Sequence, residues 1–232
     1  MKKLLSYLTV AILLFSCSNN KKGNMLVNGT IEGLKKGTVY LQKYKDTLLI
    51  SVDSVKLDGK SNFTLTDEIE SPEIYIIALD KIADEKISFF GEKGTISVNS
   101  KLSKLSTSAK IEGSKNQEIF DEHLKMVKQF NGKQLDLFKE KFDAQKNNDS
   151  EQYAKIEKEE ESIIKRKFLY TTNFAVKNAN YEVAPYIALT ELYNANIKLL
   201  DTINNSLSKE VKASKYGKQL QDFISKIKET EK

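Results

Sequence analysis

From residue 25 to about 113 the apolar residues come in short runs, several of them alternating with polar ones and broken by Gly, Asn, Asp and Lys clusters. Alternation with a period of two marks strands that bury one face. About eight strands follow, centred on 26–32, 38–44, 48–57, 62–66, 73–79, 86–90, 95–99 and 109–112. Lys36-Gly37, Asp58-Gly59 and Lys93-Gly94 supply residues that tolerate positive φ, so a hairpin between consecutive antiparallel strands is expected at each. Because every second side chain turns to one face, Val39, Leu41, Val52, Val55, Phe63, Leu65, Tyr75, Ile77, Ile96 and Val98 form the inward set. The expected product is a small antiparallel β-sandwich or a barrel-like domain.

After Gly113 the period changes. Phe120, Leu124, Val127, Leu135, Phe138 and Phe142 recur at helical spacing, and Tyr153, Ile156, Ile163, Phe168 and Phe174 resume it after a break at Asn147-Asn148-Asp149-Ser150. Two long helices paired as a hairpin fit this pattern, with Gly132 a candidate bend. Pro185 suits the first turn of a further helix carrying Ile187, Leu189 and Leu192, and a segment at 197–207 follows. Ser208 and Ser214 stand where N-caps belong, and the last helix would bury Tyr216, Leu220, Phe223 and Ile227. Strands first and helices after make an α+β chain: a β-rich domain at 25–113, then a helical region at 114–232 with a long helical hairpin.

The first residues follow another logic. Lys2 and Lys3 precede an apolar stretch at 4–15, and the chain turns polar after Ser16 and Cys17, the three-part layout of a secretory signal. The apolar core is shorter than the roughly 20 residues a transmembrane helix requires. Leu14-Phe15-Ser16-Cys17 resembles the lipobox of bacterial lipoproteins, which implies removal of residues 1–16 and lipidation at Cys17. Acyl chains there, at about 0.8 kcal/mol per buried methylene, would fix the protein to the membrane. Residues 17–24 read as a polar tether.

Cys17 is the only cysteine, so once it is acylated no thiol remains for a disulfide, a metal site or a nucleophile. Lys and Arg number 37 against 32 Asp and Glu, and the lysines alternate with glutamates, without the clustered basic residues and exposed aromatics of a nucleic-acid surface. No nucleic-acid partner and no cofactor are expected.

Val27-Asn28-Gly29-Thr30-Ile31-Glu32-Gly33-Leu34, Val39-Tyr40-Leu41, Asp53-Ser54-Val55 and Asn62-Phe63 resemble a β-rich domain of unknown function in Bacteroidetes-type lipoproteins. That domain usually precedes a thioredoxin-like domain. Tyr186-Ile187-Ala188-Leu189 and the run from Leu207 to Gly217 resemble the region connecting the two. The chain reaches Lys232 about where the thioredoxin-like domain would begin and holds no Cys-x-x-Cys, so the resemblance does not carry an oxidoreductase activity. It implies an envelope lipoprotein, expected on the outer membrane, and because surface-export signals of the lipoproteins it resembles place acidic residues just after the cysteine, the acid-free tether implies one facing the periplasm.

His123 is the only histidine, with no second nitrogen or sulfur ligand for zinc and no basis for a Ser-His-Asp assembly; a solvent-facing or cap-like position is expected. Glu157, Glu159, Glu160 and Glu161, with Asp121 and Glu122, offer carboxylates for a glycosidase-like pair, but interspersed with lysines on helices they read as solvated faces. Tyr40, Tyr44, Phe63, Tyr75, Phe89 and Phe90 are either core or the lining of a groove. Asp46-Thr47-Leu48, Asp53-Ser54-Val55 and Asp201-Thr202-Ile203 resemble O-glycosylation triplets of Bacteroidetes-type periplasmic proteins. Taken together, a non-enzymatic, membrane-anchored binding or scaffolding module is expected, with an envelope partner. The alternatives are an accessory to a separate thioredoxin-like oxidoreductase and, with less support, a carboxylate-based hydrolase.

Overall fold

A computed structural model describes residues 23–80 and 82–230; the expected leader, Cys17 and most of the tether lie outside the described residues. The strands are β1 (Met25–Glu32), β2 (Lys36–Lys45), β3 (Leu48–Asp58), β4 (Asn62–Asp67), β5 (Glu73–Leu79), β6 (Ile82–Gly91), β7 (Gly94–Lys101) and β8 (Lys110–Glu112). They form two four-stranded sheets, ordered β4-β1-β7-β8 and β3-β2-β5-β6, and do not close into a barrel. All pairings are antiparallel except β1 with β7, which run parallel from Met25 opposite Gly94 to Glu32 opposite Lys101.

The glycine turns do not make the expected hairpins. Gly37, Gly59 and Gly94 have φ of 140°, 85° and 116°. The links they serve, β1 to β2, β3 to β4 and β6 to β7, each carry the chain from one sheet to the other. Positive φ reverses the chain, but the apolar faces of the joined strands meet across the sandwich instead of pairing side by side. The hairpins that do form are β2–β3, turned by Asp46 at φ 53°, β5–β6, and β7–β8.

Between the sheets, Val39, Leu41, Leu65, Tyr75, Ile77, Ile96 and Val98 are fully buried, Phe63 is buried beside them, and Val52 and Val55 pack at the margin. Gly29 pairs with Phe63, whose ring lies 2.0 Å from where a Cβ would stand, so this strand position has room only for glycine.

Six helices follow: α1 (Lys115–Lys146), α2 (Ser150–Lys177), α3 (Val183–Glu191), α4 (Ile197–Ser206), α5 (Lys209–Ala213) and α6 (Lys215–Thr230). Ser114 caps α1 by accepting from Gln117 N at 3.1 Å, and Asp149 caps α2 by accepting from Gln152 N at 2.9 Å. Pro185 sits in the first turn of α3, and Ser208 and Ser214 accept from Val211 N and Gly217 N. Gly132 lies within the unbroken span of α1.

The helices cover the second sheet, which explains the near-continuous apolar run of β5: Tyr75, Ile77 and Leu79 face the first sheet while Ile74 packs on the helical core. Phe90 of β6 is fully buried among Phe120, Tyr186 and Tyr216, with ring centroids 5.6, 5.1 and 6.3 Å away. Strand backbone groups at this edge are satisfied by helix side chains: Phe90 N donates to Gln117 Oε1 at 2.8 Å and Ile74 N to Tyr216 Oη at 2.9 Å.

Asn116 joins three segments. Buried in the first turn of α1, it donates to Glu92 in the β6–β7 turn at 3.0 Å and to Glu182 at 3.3 Å, and accepts from Val183 N at 2.9 Å. Glu92 also accepts from Lys115 N and Asn116 N, so a carboxylate occupies the positive end of α1. Asn116→Ala strands these groups; the expected loss is about 1–3 kcal/mol, read as a fall of several degrees in the thermal midpoint by circular dichroism.

Candidate binding surfaces

Two surfaces stand out. The first is a cleft of about 550 Å³ where the β2–β3 hairpin, the β4–β5 loop and the start of α6 meet. Lys43 and Glu73 of its lining belong to an ionic network that continues beneath it: Lys43 Nζ donates to Asp67 at 2.6 Å and Tyr75 Oη at 3.1 Å and lies 3.3 Å from Glu73, while Tyr75 Oη donates to Asp67 at 2.6 Å. Lys215 donates both to Glu73 and to Tyr44 O, fastening α6 to the second sheet. Burial opposes the charge on Lys43, but the Asp67 and Glu73 carboxylates outweigh it and hold the ammonium above its ordinary value. Burial, aided by the bond to Asp67, pushes the Tyr75 phenol up, so it stays a donor.

Asp67 and Glu73 each face an ammonium, and the network ties the second sheet to the start of α6. The proposed aromatic groove dissolves here. Phe63, Tyr75, Phe89 and Phe90 are core, and of the six candidates only Tyr44 lines the cleft.

The second surface is the outer half of the α1–α2 hairpin. α1 spans about 48 Å at 1.5 Å per residue. Its seam with α2 is made by Leu137, Ala144, Ile156 and Ile163 with Phe130 and Tyr153, and Lys141 bridges to Glu160 at 2.7 Å and Glu157 at 3.4 Å. The acidic run of α2 is thus tied across the hairpin as well as solvated.

Leu135, Phe138 and Phe142, expected from their spacing to be core, are instead 55%, 65% and 63% exposed, and Leu124 is exposed on the same line. At about 100° per residue these four share a meridian roughly 60° wide, adjacent to the seam and not on it. A hairpin has one seam, and α1 carries two apolar lines. The width of its apolar arc was the signal in the sequence; periodicity alone does not separate a covered face from an open one. Phe138 and Phe142, with Tyr153 and Glu160, line a hollow of about 310 Å³, and Ile164, Phe168, Leu169 and Leu199 line another of about 500 Å³ where α2 meets α4. Exposed apolar groups gathered in this way mark interaction surfaces.

His123 is corrected from solvent-facing to fully buried. It lies in α1, stacked on Tyr170 at 5.7 Å and beside Phe174 at 5.2 Å. Neither ring nitrogen has a hydrogen-bond partner among the described residues. Helical spacing sends His123 into the same interior as Phe120 and Val127, and a neutral imidazole is apolar enough to be accommodated there. Burial lowers its pKa to about 4, Glu191 favouring the cation and Lys167 opposing it.

Of the three triplets, Thr47 and Thr202 are exposed, Thr202 bonding back to Lys198 O at 2.7 Å, and Ser54 lies within β3. Among the described residues no helix is long and apolar enough to cross a membrane.

Residues 25–120 match the family model described as Domain of unknown function (DUF4369), a stretch that takes in all eight strands and the start of α1. No curated protein and no solved structure matches the chain.

Proposed function

We propose that this chain is a lipid-anchored, periplasm-facing envelope protein that works as a non-enzymatic binding or scaffolding module, with the outer face of the α1–α2 hairpin as its docking surface. The observation that carries this reading is the line of Leu135, Phe138 and Phe142 held open to solvent on a stiff double helix. Leaving such groups in water forgoes about 25 cal/mol for each Å² that a partner would cover. The Leu14-Phe15-Ser16-Cys17 motif supplies the anchor in this reading. Asn24, the last residue before β1, accepts from Ile69 N at 2.8 Å and, through its backbone carbonyl, from Gly94 N at 2.9 Å. The anchor would therefore attach beside Glu92, on which α1 is seated, so that tether and hairpin leave the sandwich from the same region.

The test is affinity purification from the native envelope after in situ crosslinking, comparing the natural chain with the Phe138→Asp/Phe142→Asp double variant. The variant is expected to keep its thermal midpoint, because both side chains are mostly in water, and to lose at least tenfold of whatever is crosslinked. Equal recovery from both forms would refute the hairpin as the docking surface.

A further inference from the structure

Which partner the hairpin face fits can be argued from its charge. The apolar line of α1 is bordered on its solvent side by Lys128, Lys139 and Lys146, whereas the flank of α2 on the same face carries Glu157 and Glu161. The border is therefore basic along one edge and acidic along the other. Heights along the hairpin are fixed by Lys141, which meets Glu157 and Glu160, and by Lys167, which reaches Asn131 at 3.4 Å. Lys139 consequently stands level with the stretch between Glu157 and Glu161.

We propose that this face is a two-fold interface with a second copy of the same chain; the proposal rests on the reading of the hairpin as a docking surface. A two-fold axis parallel to the hairpin lays α1 of one copy on α2 of the other, antiparallel and at unchanged height. The basic edge of each then falls on the acidic edge of the other: Lys139 comes between Glu157 and Glu161 of the second copy, and symmetry repeats the contact. The alternative axis, across the hairpin, lays α1 on α1 and sets lysine edge against lysine edge, which like-charge repulsion disfavours. The four helices form a bundle around Leu135, Phe138, Phe142 and Ile164 from each copy.

The dimensions agree. A face about 30 Å long and two helices, or about 20 Å, wide offers with its side-chain relief an area on the order of the ~800 Å² each partner contributes to a standard interface. The axis also keeps both sandwiches, and both Asn24 residues from which the tethers start, at the same end of the pair. Two copies anchored in one membrane can pair in this way without either tether turning back.

Sedimentation equilibrium of the polypeptide from Ser18 onward, which keeps every described residue, is expected to give the mass of two copies at micromolar concentration. Phe138→Asp/Phe142→Asp should give one copy with an unchanged thermal midpoint. Lys139→Glu should weaken pairing about tenfold, and adding Glu161→Lys to it should restore most of the loss, a rescue that a merely structural effect would not produce. A single copy at all concentrations, or a pair indifferent to the Phe138 and Phe142 changes, overturns the proposal. If the chain is single and the double variant still loses its crosslinked envelope material, self-pairing fails while the docking surface stands. If the chain is single and binds anionic phospholipid vesicles through Phe138 and Phe142, the occupant is a membrane surface and the proposal fails in that direction.

Discussion

Phe90→Ala is expected to lower the stability of the whole chain by about 3–5 kcal/mol. Phe90 is the residue through which the second sheet enters the helical core: it is fully buried and meets Phe120 of α1, Tyr186 of α3 and Tyr216 of α6 edge to face. Truncation opens a cavity between three helices that cannot all close on it, and it weakens three aromatic contacts at once. The backbone bonds from Phe90 N to Gln117 and from Ile74 N to Tyr216 hold the same seam, so sheet and helices are expected to unfold together. Urea unfolding followed by circular dichroism should show one transition moved to lower denaturant with its slope kept. Two separate transitions would contradict the seam described here.

Acid should weaken the fold through His123. The unfolded histidine takes up its proton near pH 6.5, whereas burial in the aromatic interior of α1 and α2 holds the folded one neutral down to about 4. Between those values the unfolded chain binds more protons, so the contribution of neutral His123 is fully present above about pH 6.5 and is lost as pH falls towards 4. The full loss amounts to about 3 kcal/mol. His123→Leu should flatten the pH dependence of the denaturation midpoint in that window. It should also raise stability at neutral pH by about 1 kcal/mol, since neither ring nitrogen finds a hydrogen bond. A variant that keeps the same acid slope would place the titrating group elsewhere.

Much of the architecture was written in local patterns. All eight strands are present where alternation predicts them, and Ser114 and Asp149 cap the two helices of the expected hairpin. Partner choice among strands was not legible. Lys36-Gly37, Asp58-Gly59 and Lys93-Gly94 specify a reversal of the chain, but whether the reversed strand pairs with its predecessor or crosses the sandwich depends on distant strands, as when β1 takes β4 and β7 as neighbours. The same limit governed the surfaces. The sequence alone turns His123 towards solvent and Phe138 towards the core, and the packing of α2 reverses both, sealing the first and leaving the second open.

The latch at Lys43, Asp67, Glu73 and Lys215 joins residues far apart in the chain, at the ends of strands and the start of α6, with no motif to announce it. Tyr75 was correctly read as inward, yet its hydroxyl reaches Asp67 at the rim of the sandwich, a role that alternation cannot express. Here the Lys215–Glu73 pair ties the start of α6 to the second sheet.

The central claim is that the chain acts by docking through its hairpin. Its most direct test places a photo-crosslinking side chain at one position per variant, 138 or 142 on the hairpin and 45 or 218 at the rim of the cleft, and illuminates the full chain in its native envelope. Discrete adducts from 138 and 142, with none from 45 and 218, are the predicted result. Adducts from the cleft positions alone would contradict the account and move the binding site to the junction of sheet and helix.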